Sequence, residues 1–141
     1  MEVCFAGIAY LILGSYTGAI DSAIGCTRNI LCYTNKLNWI TKGIIIGLYT
    51  VLTFAFNNMG WCGIVLWLGS ALYICFIDLK DVEKFKYVVI ANMTAWTIHD
   101  FFAQSYVATA FDLGTIFANI IAIIKIKCDK RKQIQNESAD I

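Results

Sequence analysis

The segment SYTGAIDSAIGCTRNI at residues 15–30 returns in outline as SYVATAFDLGTIFANI at residues 105–120. Each copy begins with Ser-Tyr and carries Asn-Ile fourteen positions later. Both copies read as a short turn followed by an apolar helix that holds one asparagine. This echo predicts a duplicated helical bundle in which buried polar groups mark the middle.

The composition around these segments is that of a membrane protein. Of 141 residues, 59% are hydrophobic and 15% are charged, with a mean hydropathy of +0.66, whereas soluble domains are about a quarter charged. Apolar runs of this length favour helices, which satisfy their own backbone hydrogen bonds in lipid, over the shorter alternating strands of a barrel. We therefore expect an all-α membrane protein with about six transmembrane helices. The apolar segments are residues 3–14, 18–34, 41–57, 61–77, 87–103 and 107–127, of which the first is shorter than the about 20 residues that cross a bilayer.

Basic residues occupy alternate connections of this scheme. All 11 lysines and arginines lie near the second-to-third connection, near the fourth-to-fifth connection or toward the C-terminus, and the turns at 15–17, 58–60 and 104–106 contain none. One-sided basic charge disfavours a soluble bundle, the other reading of six apolar runs. By the positive-inside rule it predicts a multi-pass protein of the bacterial inner membrane with both termini in the cytoplasm.

Polar side chains form stripes on three of the predicted helices. Polar groups inside membrane helices are costly and are functional candidates by default, and three stripes that converge would outline a hydrated cavity. The structural alternatives are an Arg28 that reaches the inner headgroups, and His99 and Asn119 side chains that tie helices together. The candidate substrate-binding residues are Arg28, Asn29, Asn92, Trp96, His99, Asp112 and Asn119.

The distribution of basic charge predicts how the two copies of this pattern are oriented. The first and fifth helices run in the same direction, as do the second and sixth, so the repeat is parallel. We expect a single transmembrane domain over 1–128, with a partial first bundle at 1–34, a linker helix at 41–57, a second three-helix bundle at 61–127 and a disordered cytoplasmic tail at 129–141. The first bundle lacks its opening helix, which predicts a truncated chain or a variant that starts late. A second copy of the chain, in a homo-oligomer, would close the side of the cavity left open.

Two motifs resemble the YgjV family of bacterial inner-membrane proteins. LGSYTGA at residues 13–19, with Arg28 following, is similar to the family's Leu-Gly-x-Tyr turn, and WTIHDF at 96–101 is similar to its W-x-I-H-x-F helix. The resemblance covers roughly residues 4–127. It implies kinship with the PQ-loop and SWEET-like group, in which two three-helix bundles flank a linker helix. This chain contains no proline, so the Pro-Gln motif of that group is missing.

The sequence predicts no particular reaction and leaves two competing roles. The first is a facilitator or carrier for a small polar metabolite, with Asn29 and Asn119 as equivalent contacts and His99 as a gating or proton-linked group. The alternative is a non-transporting membrane scaffold or assembly partner. The sequence offers no nucleophile motif, metal-ligand spacing or phosphate loop, so we expect no enzyme activity and no cofactor or metal. The expected partner is the lipid bilayer, and we expect no binding to nucleic acid.

Overall fold

The described part of the chain folds into six α-helices. The computed structural model describes residues 2–34 and 36–139, and every regular element in those ranges is a helix. The all-α prediction is confirmed, and each of the six apolar segments overlaps one helix. The helices are α1 (Glu2–Ile12), α2 (Tyr16–Tyr33), α3 (Trp39–Phe56), α4 (Trp61–Phe76), α5 (Val82–Phe102) and α6 (Tyr106–Ala139).

The turn between α1 and α2 is a Schellman motif. Gly14 adopts a left-handed φ of 74°, a conformation that glycine reaches without the Cβ clash of other residues. Its N–H donates to the Leu11 carbonyl at 3.2 Å, and the Ser15 N–H donates to the Tyr10 carbonyl at 2.9 Å. These two bonds satisfy carbonyls that the end of α1 would otherwise leave open. Ser15 then caps α2 by accepting from the Gly18 N–H.

The same turn recurs between α5 and α6, ninety positions on. Gln104 takes the left-handed position with φ 60°. Its N–H donates to the Phe101 carbonyl at 3.2 Å, and the Ser105 N–H donates to the Asp100 carbonyl at 2.9 Å. The backbone hydrogen bonds of the two turns therefore match position for position.

The helices surround a small apolar core and a separate polar interior. α2 packs against α1, α3 and α4, α4 packs against α3 and α5, and α5 packs against α6. Ile24, Ile45, Tyr49 and Ile74 form the apolar core between α2, α3 and α4. Large apolar side chains point outward instead, as with Phe54 at 61% and Phe117 at 63% exposed. An apolar exterior of this kind is what a protein in lipid presents to acyl chains.

The three turns without basic residues meet at one end of the bundle. The Asn58 side-chain amide donates to the Gly14 carbonyl, the Thr17 hydroxyl donates to Asn57 Oδ1 at 3.3 Å, and the Trp61 and Phe102 rings lie 5.3 Å apart. The turn at 13–15, the turn at 57–60 and the start of α4 beside the end of α5 are thus neighbours. This placement agrees with the alternation of charge along the sequence. The side of the membrane that each end faces stays a prediction.

Basic side chains hold the opposite end. Lys42, only 3% exposed, reaches from α3 to the Asp78 carboxylate at 2.5 Å and to the Cys75 carbonyl at 3.3 Å. Lys127 donates to the Tyr87 hydroxyl at 3.0 Å, which joins α6 to α5. These contacts join α3 to the end of α4 and join α6 to α5.

Within the described residues, two helices are long and apolar enough to cross a membrane by length and composition, namely Trp39–Phe56 and the part of α6 from Tyr106 to Lys132. Trp61–Phe76 is a shorter apolar helix, and α1, with 11 residues, rises only about 16 Å. Six membrane spans therefore remain a prediction.

The last helix continues into the segment expected to be a disordered tail. α6 runs to Ala139, whereas the tail was predicted from residue 129, and residues 140 and 141 lie outside the described part. Glu83 near the start of α5 holds this extension, since its carboxylate accepts from Lys130 at 2.8 Å and lies 3.8 Å from Lys127. The hydrogen bond from Lys130 is the main cause that lowers the pKa of the Glu83 carboxyl below its ordinary value. The composition of the tail gives no sign of this contact, because Glu83 lies 47 positions earlier in the sequence.

The Glu83 anchor can be tested with a spin label at Gln135 on α6. Because the pKa of Glu83 is lowered in the folded protein, its contribution is present above the ordinary value of about 4.3 and is lost as the pH falls through the lowered value. We expect Glu83→Gln to increase label mobility at neutral pH, and acidification below about pH 4 to do the same in the unchanged protein. Lys84→Gln is the control, because Lys84 pairs only with Asp81 among the described residues. Equal mobility in all three proteins at neutral pH would contradict the anchor.

Candidate functional site

A cavity of about 300 Å³, with polar side chains among its lining residues, lies between α1, α2, α4, α5 and α6. α1 contributes Tyr10, α2 contributes Asp21, α4 contributes Tyr73, α5 contributes Trp96 and α6 contributes Asp112. A membrane bundle gathers polar side chains in its interior because each would be costly on a face turned to lipid. The cavity is accordingly the candidate functional site.

One wall of the cavity rests on a buried network of Tyr10, Ser15, His99 and Asp100. The Tyr10 hydroxyl lies 2.7 Å from Asp100 Oδ1 and 2.8 Å from Oδ2, and donates to that carboxylate. His99 Nδ1 lies 3.0 Å from the same Oδ1, and His99 Nε2 lies 3.0 Å from Ser15 Oγ. With a carboxylate on one side, the imidazole is best satisfied by donating from Nδ1 and accepting the Ser15 hydroxyl proton at Nε2. All four residues are buried, and His99 is fully enclosed.

Aromatic packing fixes the position of His99 within this network. Its ring lies edge-on to Tyr10 at 5.7 Å and to Trp96 at 5.8 Å between centroids. Gly18 makes the approach of α2 feasible, because a Cβ there would lie 2.8 Å from both His99 Cε1 and Tyr10 Cγ. The absence of a side chain at Gly18 is therefore a requirement of the network.

The wall formed by α4 and α5 uses a second close approach. A Cβ on Gly69 would lie 2.6 Å from the Ala95 Cβ, so the two helices meet at this glycine. The Ser70 hydroxyl donates to Asn92 Oδ1 at 3.4 Å. Asn92 is thereby held at the edge of the cavity that it lines.

Several polar atoms of the cavity wall make no hydrogen bond. Asp21 Oδ1, Ser22 Oγ and Asp112 Oδ2 are buried and have no partner among the described residues, and all three residues line the cavity. The hydroxyls of Tyr49 and Ser70 lie near the Asp21 carboxyl, yet none reaches Oδ1 in hydrogen-bonding geometry. Buried polar atoms are normally satisfied, so these acceptors are open to a ligand or to water.

Several of the residues that line this cavity are related by the offset of ninety positions. The Ala6 and Trp96 pair, the Tyr10 and Asp100 pair, and the Ser22 and Asp112 pair all line it. Tyr10 and Asp100 are in direct hydrogen-bond contact. The sequence offset that relates the two Schellman turns thus also relates the cavity walls.

The structure brings together some of the predicted site residues and leaves others apart. Arg28, Asn92, Trp96 and Asp112 line the cavity. His99 lies behind its wall, bonded to Ser15 and Asp100.

The two asparagines of the echo lie elsewhere. Asn29 is exposed and accepts from the Arg28 guanidinium at 3.1 and 3.2 Å. Asn119 is half-buried and donates to the Thr115 carbonyl of its own helix at 2.8 Å. Neither lines the cavity, and the roles of both as substrate contacts stay predictions.

The sequence reading missed Tyr10 and Gly18. Tyr10 sits in an apolar run with no polar stripe, and its partner Asp100 lies 90 positions away. Ser15 and Asp100 do fall in the two motifs that resemble a known family. These motifs, together with the polar stripe that contains His99, were the sequence features that indicated the network.

A family model described as "Imp-YgjV: Bacterial inner membrane protein" matches residues 1–130. No curated protein and no solved structure matches the chain significantly.

The packing at Gly18 predicts a measurable loss of stability. We expect Gly18→Ala to lower the unfolding free energy in detergent by about 1–3 kcal/mol, because the new methyl overlaps His99 and Tyr10. Gly43→Ala is the matched control, since a Cβ at Gly43 of α3 meets nothing within 4 Å and helical alanine is favoured over glycine by about 0.5–1 kcal/mol. Thermal or denaturant unfolding compares the two variants, and a Gly18→Ala protein as stable as Gly43→Ala would count against the packing described.

Proposed function

Because the chain belongs to the Imp-YgjV family of bacterial inner membrane proteins, we propose that its cavity is the substrate site of a facilitator or carrier for a small polar metabolite. The supporting observation is a 300 Å³ cavity with carboxyl, amide and hydroxyl groups on its walls inside a bundle with apolar outer faces. Small-molecule sites are concave, of comparable volume and supplied with a few polar groups. Unpartnered polar atoms in such a position are costly unless a ligand or water uses them.

A parallel duplication is part of this proposal. The two matching Schellman turns and the three pairs of cavity residues separated by ninety positions support equivalence of α1–α2 with α5–α6. In this proposal α3 is the linker, the six helices span the membrane and both termini are cytoplasmic. The pseudo-symmetry axis then passes beside the bond between Tyr10 and Asp100, and the cavity lies between the repeats, where parallel-repeat carriers hold substrate.

His99 is proposed as the group that links the cavity wall to a gate. Its Nε2 bonds Ser15 in the turn between α1 and α2, and its Nδ1 bonds Asp100 on the cavity wall. Separation of α1 from α5 at the turn end of the bundle would break the bond to Ser15, whereas the bond to Asp100 lies within α5. The proton-linked role that the sequence predicts for His99 stays part of this proposal.

The scaffold alternative draws on the same network and on α6. Hydrogen bonds between helices stabilise membrane bundles without any substrate, and the exposed basic residues of α6, Lys130 and Arg131 among them, would contact anionic lipid. A scaffold, however, has no need for open acceptors around a cavity. The carrier role accounts for Asp21, Ser22 and Asp112, and the scaffold role does not.

Ser15, His99 and Asp100 have the order of donors and acceptors found in a hydrolase triad. Ser15 is only 1% exposed, and its Oγ also accepts the Gly18 N–H at 3.3 Å as the cap of α2. Its hydroxyl does not line the cavity, so a substrate there has no path to this oxygen. The trio is better explained as a structural tie, and we propose no catalytic activity.

Water access to Ser22 tests the carrier proposal. In a background with the six native cysteines changed to alanine, we expect Ser22→Cys to react readily with a small neutral methanethiosulfonate in proteoliposomes, because a water-filled cavity supports the thiolate. Phe117→Cys on the exposed apolar face of α6 is the control and should react slowly, since lipid does not support a thiolate. Slow reaction at both positions would favour the scaffold, whose interior needs no water.

A further inference from the structure

The cavity wall carries more acidic than basic groups. Among its lining residues are the carboxyl groups of Asp21, Asp100 and Asp112, against the one guanidinium of Arg28. All three carboxyl groups lie within electrostatic range of the Tyr10 hydroxyl, so they belong to one local field. A cavity with low-dielectric walls and an excess of one charge attracts ligands of the opposite charge.

Asp100 and Arg28 are already occupied by protein partners. Both Asp100 oxygens accept from Tyr10, and Oδ1 also faces His99. The Arg28 guanidinium stacks over the Tyr73 ring at 4.5 Å and donates to Asn29. No ion pair within residues 2–34 and 36–139 joins Arg28 to Asp21 or Asp112.

Asp21 and Asp112 are therefore the groups left for a ligand. Asp21 is 5% exposed and Ser22 beside it is 1% exposed, and each keeps one oxygen without a partner, as does Asp112. These oxygens come from α2 and α6, on two sides of the cavity. An ionised carboxylate only accepts hydrogen bonds, so its natural partner is a cation with N–H donors.

The other walls fit the carbon part of an organic cation. Trp96 and Tyr10, whose ring centroids are 5.6 Å apart, form an aromatic surface beside the carboxyl groups, and Phe111 adds an apolar side chain. Aromatic faces attract ammonium groups. A bare metal ion fits less well, because no group of three His, Cys, Asp or Glu in the described ranges is arranged to hold one.

We propose that the substrate of this cavity is a small protonated amine, whose ammonium group binds between Asp21 and Asp112 while its carbon chain lies against Trp96. This assignment rests on the proposed carrier function and specifies its substrate class. Anionic metabolites would be repelled by ionised carboxylates, and neutral ones lack the positive charge that pairs with them.

The test measures protection of Ser22→Cys from the neutral thiol reagent by three probes of matched size. The probes are n-butylammonium, n-butanol and butyrate. Butylammonium at ten times its dissociation constant slows labelling about tenfold by occupying the cavity, whereas butanol and butyrate leave the rate unchanged. Asp21→Asn and Asp112→Asn, which keep side-chain shape, each weaken this protection, and Asp129→Asn on the exposed part of α6 does not.

The outcomes separate this inference from the function beneath it. Absence of labelling at Ser22→Cys overturns the water-filled cavity and with it the carrier proposal. Rapid labelling that butyrate or butanol blocks as well as butylammonium does leaves the carrier proposal standing and overturns the cationic substrate. Protection by butylammonium that survives both Asp21→Asn and Asp112→Asn overturns the assignment to these carboxyl groups.

Discussion

The hydrogen bond between Tyr10 and Asp100, extended through His99 to Ser15, is the interaction on which the rest of the structure depends. It joins α1 and the following turn to α5 across 84 to 90 positions of sequence. Backbone packing of α1 is mainly against α2, so this buried network is what holds α1 beside α5. Without it the cavity would lose the wall to which Tyr10 and Asp100 both belong.

The network and the cavity differ in whether their buried polar atoms are hydrogen-bonded. Asp100 and His99 are fully bonded, as buried polar groups in a rigid wall must be. Asp21, Ser22 and Asp112 retain open atoms, which a purely structural interior would avoid because unsatisfied buried groups are costly. The contrast separates residues that build the wall from residues that are available to a ligand.

Much of the fold could be predicted from local sequence. Apolar runs and alternating basic charge determine how many helices form and which connections are neighbours, because both are summed over many residues. Asn92 and Trp96 were found from helical spacing, since i and i+4 share a face. Asn29 was assigned to the site because it matches Asn119 in the repeated pattern. It lies one position past Arg28, about 100° around the helix, and does not line the cavity.

The remainder depends on contacts that a local pattern does not encode. Tyr10 looks like one more apolar residue until Asp100 is placed against it, and the role of Gly18 follows only from the nearness of His99. The helical extension of α6 to Ala139 likewise depends on Glu83, far back in the chain. Each of these features is tertiary, and each pairs residues from different helices.

A double-mutant cycle on Tyr10→Phe and Asp100→Asn, measured by unfolding in detergent, tests the central interaction most directly. The two changes preserve side-chain shape while removing the hydroxyl donor and the carboxylate charge. A charge-assisted hydrogen bond of this kind is worth about 1.5–3 kcal/mol. We therefore expect a coupling energy of at least about 1 kcal/mol, with the double variant losing less stability than the two single losses added together. Effects that add within about 0.5 kcal/mol would contradict the claim that this bond holds α1 to α5.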